Sequence, residues 1–363
     1  VSERSSVLAI TGLGMRSSIG QNAIQTAAAV RAGICRFAEW PSPPADSKEK
    51  GGVAMMGAAV VPDLGSLNWM DKLDDLVTQP LMEALWMSEH AELLEEGQPT
   101  PWAVYLATPA LNRVGTDEEA AASFAEDVKE GMLLSVNVPE LHVVPGGNAA
   151  VMVALQQAMA SLIQGRVSVC VVGGVDSLLH LPFLEHLDTE ARLKTEATPV
   201  GLIPGEAAGF VVIERGPPSR TSPARRLANF TEPRLTIERE SPDGKNPSRG
   251  RAAAQALRMT LADSPIPPQR IQRVIADMNG ERWRFLEWAL ASNPALVALP
   301  PDWRLWTPAD CFGDVGAATG AMHLCLATRA FERDYAVGDG IIVFNASETG
   351  ERGALCVYPP EPA

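Results

Sequence analysis

Pro145-Gly146-Gly147-Asn148-Ala149-Ala150 runs straight into an Ala-, Met- and Leu-rich stretch that keeps a helical pattern as far as Gly165. A short strand over residues 141–144 leads into this turn. A second, residues 167–172, follows the helix and closes at Gly173-Gly174. Strand, tight small-residue turn, helix, strand: this order presents one side chain at a helix N-terminus. That side chain is Asn148. A Cys there would have its pKa lowered and act as a thiolate nucleophile. A carboxamide cannot.

Working outward, residues 7–12 read as a buried strand ending at Gly12-Leu13-Gly14, and residues 21–32 as an Ala-rich helix. Residues 70–94 carry Leu73, Leu76, Leu81, Leu85 and Met87 at helical spacing. Strands are predicted over 102–107 and 209–213, and an exposed helix over 116–132. Residues 35–52 are rich in Pro, Ser and charge and read as a surface insertion. Composition shifts over 216–226 and 238–251 towards Pro, Ser, Arg and Lys. These patches lack interleaved aromatics, which favours solvated linker and loop over a phosphate-binding surface. The order then restarts: helix 251–261, strand 273–276, helix 281–291, strand 303–306, small-residue helix 315–331, and strands 341–344 and 353–358. Each half opens a buried helix with a small-residue turn, Gly146-Gly147-Asn148 in the first and Gly313-Asp314-Val315-Gly316 in the second. This predicts an internal repeat: two pseudo-symmetric halves, 1–216 and 217–363, in a five-layer α/β/α/β/α arrangement about a pseudo-twofold axis.

A chain of 363 residues, 46% hydrophobic and 20% charged, can bury a large core. Its net charge of −14 gives no electrostatic footprint for nucleic acid and does not suit an anionic membrane surface. The five cysteines, Cys35, Cys170, Cys311, Cys325 and Cys356, form no Cys-x-x-Cys pair. Their odd number and wide spacing argue against a disulfide framework and a zinc site, and for a reduced cytosol. No signal peptide is read in the polar first residues, and no apolar run reaches the ~20 residues that span a bilayer. Neither a metal nor a cofactor is implied, and a cytoplasmic protein is expected.

Several motifs taken together resemble the β-ketoacyl synthases of the thiolase superfamily. Ile10-Thr11-Gly12-Leu13-Gly14 with Ser17-Ser18-Ile19-Gly20 is similar to their opening strand and loop. Val171-Val172-Gly173-Gly174-Val175-Asp176 looks like the strand after their nucleophile helix. Pro204-Gly205-Glu206-Ala207-Ala208-Gly209 resembles their Gly-Glu-Gly-Ala-Gly segment. Residues 313–320 resemble the glycine–histidine motif that opens the second buried helix, and Asn345-Ala346-Ser347 with Gly350 and Gly353 the last glycine-rich loop. The family uses one Cys and two His. The resemblance places Asn148 at the Cys position, Asn279 of Asn279-Gly280 at the first His, and Asp314 at the second. All three catalytic positions therefore differ.

Condensation needs a thiolate to hold the acyl chain and neutral donors to stabilise an enolate. Asn148 cannot form the thioester. An ionised Asp314 would set a negative charge beside a developing one. At ~4 Å and an effective dielectric of ~20 that repulsion is about 4 kcal/mol, roughly a thousandfold in rate. The plainest reading of the three residues is helix capping, since each precedes a predicted helix and Asn and Asp are favoured N-caps. The leading expectation is thus a catalytically degenerate relative that acts by binding. By the resemblance it would be a homodimer, or a heterodimer with an active ketosynthase, built through residues 141–144; an acyl carrier protein or a secretion assembly would be further partners. The alternative is an acyl-thioester hydrolase or acyltransferase with Asp314 as general base and Asn148 and Asn279 as amide donors. Arg282, in the charged and aromatic cluster after Asn279, and Asn345 and Ser347 of the last loop are the candidate ligand-binding residues; Arg284 shares the cluster with Arg282. His323 is expected to be a satisfied histidine, and Cys311 a buried structural thiol. Asn148, Asn279 and Asp314 bonded to backbone N–H groups beside a filled tunnel would mark the binding protein; their convergence on an open cavity would mark the enzyme.

Overall fold

The computed structural model describes residues 8–38, 57–62, 64, 67–95, 100–114, 130, 138–215, 226–240 and 247–360. Most of the helix expected over 116–132, most of the insertion over 35–52 and parts of both basic patches lie outside these residues. The first half contributes β1 (Leu8–Ser17), α1 (Ala23–Arg31), α2 (Trp69–Met87), β2 (Trp102–Pro109), β3 (Leu141–Gly146), α3 (Ala150–Ile163), β4 (Val169–Ser177), α4 (Leu181–Thr189) and β5 (Glu206–Arg215). The second contributes β6 (Ala228–Phe230), β7 (Arg234–Ile237), α5 (Arg251–Asp263), β8 (Ile271–Ala276), α6 (Arg282–Ala295), β9 (Arg304–Trp306), α7 (Ala309–Phe312), α8 (Thr319–Glu332), β10 (Gly340–Ala346) and β11 (Glu351–Tyr358). The expected strands and helices recur with shifted ends. The helix over 70–94 stops at Met87 and resumes as a 3₁₀ turn at Ala91–Leu94. The short elements α7, β6 and β7 were not anticipated, because three or four residues carry no readable period, and the nine-residue α4 was missed as well.

The repeat is written in the strand order. The first half reads β3-β2-β4-β5-β1 and the second β9-β8-β10-β11 followed by β6 and β7, all joined into one continuous sheet where β1 meets β6. The directions repeat as well. β2 runs parallel to β3 and β4, and β8 to β9 and β10. β4–β5 and β5–β1 are antiparallel, as are β10–β11 and the pairing of β11 with β6 and β7.

Alternation along the strands then builds five layers. Tyr105, Val172 and Val211 from the first half, and Ile275, Ile341, Val343 and Leu355 from the second, face a shared middle layer formed by α3 and α8. Their neighbours Val104, Leu106, Val171 and Val212 face outward onto α2. In the second half Val274, Ile342 and Phe344 face outward onto α5 and α6. Strands covered on both faces become near-continuous apolar runs, the signal that made them legible. Gly12 and Gly14 owe their place to α2. A Cβ on Gly12 would stand 2.1 Å from the Ala84 carbonyl oxygen, and one on Gly14 1.8 Å from that of Pro80, so only glycine lets the helix lie on β1. The edge strand β3 pairs with β2 alone among the described strands.

Candidate functional site

Both halves direct their central helices to the same end of the sheet, beyond the carboxyl ends of the parallel strands. Asn148 precedes α3 and Asp314 precedes the 3₁₀ turn that leads into α8. The two side chains meet: the Asn148 Nδ2 donates to Asp314 Oδ1 at 3.1 Å and to Thr319 Oγ1 at 3.2 Å. Asn279, in the connection from β8 to α6, donates through Nδ2 to Asp314 Oδ2 at 2.6 Å. Residues from three separate connections thus converge, all three nearly buried, with 5–8% of their surface exposed. The backbone of Asp314 is fixed by the Gly-Glu segment: its N–H donates to Ile203 and its carbonyl accepts from Gly205, both at 2.8 Å. Glu206 is used elsewhere, buried against Lys72, Ser177 and the Val61 N–H.

The capping expectation does not hold, since Ala149, Glu281 and Val315 occupy the cap positions of the three helix starts; two of the residues instead close local turns with the backbone two residues on. Asp314 Oδ1 accepts from the Gly316 N–H at 2.9 Å, and Asn279 Oδ1 from the Glu281 N–H at 3.0 Å. Asn148 caps nothing; the cap position of α3 is Ala149, whose N–H donates to Ser347 Oγ at 2.9 Å. Instead, Asn148 Oδ1 accepts from Arg284 at 3.3 Å. Gly316, at φ +48°, is a turn where a Cβ would meet the Asp176 carboxylate at 2.0 Å. That carboxylate accepts from the Ala317 N–H and pairs with Arg113.

Arg284 is the main cation behind the site and is 2% exposed. It donates to Asp277 Oδ2 at 2.9 Å and to the Ala346 carbonyl at 2.7 Å. Arg284, Glu287, Trp288, Ala291 and Ala295 share the buried stripe of α6, whereas Arg282 points to solvent. That i, i+3, i+4, i+7 spacing is the sequence signal that separates the two arginines. Asp277, buried at the end of β8, has its pKa raised to about 6, by burial first, with Arg284 and the Ala346 N–H opposing and Asp314 reinforcing. Outward from Asn279, Glu281 accepts from its amide at 2.9 Å and from Arg192 Nε at 2.7 Å, and Arg192 forks onto Glu348. Burial raises the Glu348 pKa, but Arg192 outweighs it and holds the carboxyl below its ordinary value. Glu281 belongs to the charged and aromatic cluster after Asn279, where a helix-dipole role was expected of it; Asp277, Arg192 and Glu348 carried no distinguishing motif in the sequence.

His323 lies within α8, 1% exposed, and accepts from the Asn345 amide at 3.0 Å through Nδ1. Burial depresses its pKa to about 3 against the pull of Asp314, so the ring is neutral. Asn345 is therefore occupied inside the core, and Ser347 braces the start of α3. Asn148 and Asp314 line a cavity of about 250 Å³, together with Arg113, Phe183, Leu202 and Glu348. A larger cleft of about 720 Å³ lies alongside, lined by Arg192, Arg282, Trp283 and Arg352, and sharing His186 and Glu348 with the first. Among the described residues no group of three or more His, Cys, Asp or Glu could hold a metal ion. Nor is any described helix long and apolar enough to cross a membrane.

Solved structures share this architecture along the whole chain. A type II PKS acyl-carrier protein in complex with its ketosynthase, bound to the hexaketide, matches with a TM-score of 0.79 at 14% identity, over 99% of this chain and 100% of that one. The chain has the ketosynthase fold. The ishigamide ketosynthase/chain length factor matches with a TM-score of 0.78 at 18% identity, covering 98% and 100%. A ketosynthase from module 6 of the bacillaene synthase of Bacillus subtilis matches at 0.77 and 14%, covering 98% and 72%. Neither a family model nor a curated protein sequence matches the chain. At these identities the likeness extends to the ketosynthase fold and leaves the chemistry to the residues themselves.

Proposed function

We propose that this chain is a catalytically degenerate ketosynthase-like protein that works by binding, as the partner subunit of an active, Cys-containing ketosynthase. The observation that carries the reading is the closed hydrogen-bond set at Asn148, Asp314 and Asn279. Asn148 sits where the fold would present a nucleophile, and its amide is spent on Asp314, Thr319 and Arg284. Asp314 accepts three N–H bonds, from Asn148, Asn279 and Gly316. An ionised carboxylate offers about four acceptor sites, so little capacity remains to take a proton from water. The halves 1–216 and 217–363 act as two copies of one unit, each supplying one of the facing side chains. The free edge of β3 is the docking strand by analogy with the fold's dimers, and an acyl carrier protein is a secondary partner.

Native mass spectrometry after co-expression with a Cys-containing ketosynthase from the same host tests this. A one-to-one heterodimer is expected; a homodimer alone, with no mixed species, sinks the partner role. In parallel, the chain incubated with acyl thioesters should show no covalent adduct by intact mass and no thioester turnover. One observation favours the alternative, a thioester hydrolase or acyltransferase: Asn148 and Asp314 do line an open cavity of about 250 Å³. Turnover that disappears in Asp314→Asn would establish that reading instead.

A further inference from the structure

Two thiols far apart in sequence meet at a place the candidate site does not use. Cys35 follows α1 on an exposed segment, and Cys311 lies within α7, three residues before Asp314. The backbones are joined beside them, with the Arg36 N–H donating to the Cys311 carbonyl at 3.4 Å. The Cys35 Sγ lies 2.9 Å from the carbonyl oxygen of Asp310, the residue next to Cys311, and donates to it. With the Arg36–Cys311 backbone bond, this sets the two thiol-bearing residues side by side, close enough for each to bear on the other's charge. One sulfur of the pair is open to solvent while the other is 6% exposed.

We propose that Cys35 and Cys311 form an oxidisable dithiol: Cys35 is the peroxide-reactive thiol and Cys311 resolves it into an intramolecular disulfide. The electron count closes with hydrogen peroxide as oxidant. The Cys35 thiolate attacks one peroxide oxygen, forming an S–O bond, breaking O–O and releasing hydroxide, which leaves a sulfenic acid. Cys311 sulfur then displaces the hydroxyl. The S–S bond forms, S–O breaks, and the Cys311 proton leaves with the hydroxyl as water. The sum is two thiols and one peroxide giving one disulfide and two waters. Exposure decides which sulfur reacts first, because only Cys35 is reachable. Burial first, and then the nearby Cys35, pushes the Cys311 pKa up to about 12, which keeps that thiol protonated and makes it the slower, second member of the pair. Cys170, Cys325 and Cys356 are buried. The cross-link would tie the segment after α1 to α7, the element that leads through Gly313 into Asp314.

The test is peptide mapping without reductant after treating the reduced, folded chain with about one equivalent of hydrogen peroxide. The expected product is a Cys35–Cys311 linked peptide, an intact mass lower by about 2 Da, and full reversal by dithiothreitol. In Cys311→Ser, Cys35 should become trappable by dimedone as the sulfenic acid. In Cys35→Ser, an exposed change that leaves the core alone, Cys311 should stay reduced. The proposal is overturned if Cys35 oxidises while Cys311 remains a free thiol, if the product is a Cys35–Cys35 dimer of chains, if neither thiol reacts, or if Cys311 oxidises in Cys35→Ser.

Discussion

The two halves place the same unit at the same site and furnish it differently. In the first, the residue before the central helix is a neutral amide, Asn148, and the nearby ion pair, Arg113–Asp176, is self-contained with two short bonds. In the second, the equivalent residue is the carboxylate Asp314, and a chain of charge runs behind it through Asp277, Arg284 and Glu281 and, by way of Arg192 from the first half, on to Glu348. Identical topology therefore does not bring identical electrostatics. The backbone repeat fixes where two side chains meet, and the surrounding connections decide what charge they carry.

Removing the buried cation should expose this asymmetry most strongly. Arg284→Leu leaves Asp277 uncompensated in the core, and a loss of about 3–5 kcal/mol is expected by urea denaturation. Arg284→Leu with Asp277→Leu should recover much of it, since the cost lies in the orphaned charge. The matching change in the first half, Arg113→Leu, orphans the equally buried Asp176 and should cost about 3 kcal/mol, the low end of that range, because Arg113 itself borders the cavity while Arg284 does not. Equal losses would break the comparison.

Asp314→Asn comes next. An amide cannot accept on both of its ends, so one of the three donors now on Asp314 would face another N–H. A loss of about 2–3 kcal/mol is expected in the same assay. Asn148→Ala should cost less, about 1 kcal/mol, since the Asp314 carboxylate keeps two of its donors.

Acid titration separates two groups of the second half by sign. Asp277 has a raised pKa, so between about 4 and about 6 the folded chain binds more protons than the unfolded one. Its contribution therefore grows as pH falls through that window. His323 is depressed to about 3, so below about 6.5 the unfolded chain takes a proton that the folded core refuses, and stability is lost. Asp277→Asn deletes the first effect and keeps the second. Its melting temperature should fall more steeply than that of the parent chain between pH 6 and about 4.5. Parallel curves would show that Asp277 stays ionised in the core. Least affected should be Arg282→Ala, an exposed change expected within about 0.5 kcal/mol of the parent.

How much of this was legible in advance depends on the range of the signal. The strand–turn–helix order around Asn148 and its echo around Asp314 are local, and they led to the five-layer arrangement. Arg284 was within reach, two positions from Arg282, but choosing between them needed the helix register against the core rather than the clustering of charge. The short β6 and β7 had no period to read, although they complete the repeat by pairing with β11.

Sequence alone determined that no thiol stands at the head of the first central helix, because residue identity at a turn is a local fact. The layered repeat followed from apolar patterning, which is local as well. Tertiary structure decided that Asn148, Asn279 and Asp314 bond chiefly to one another, and that Arg284 backs them from α6. It also set Cys35 against Cys311. Each of these pairings spans a long stretch of chain, and side-chain hydrogen bonds reach only about 3 Å. Which donor meets which acceptor is settled by how the two halves pack, and no spacing along the chain records it.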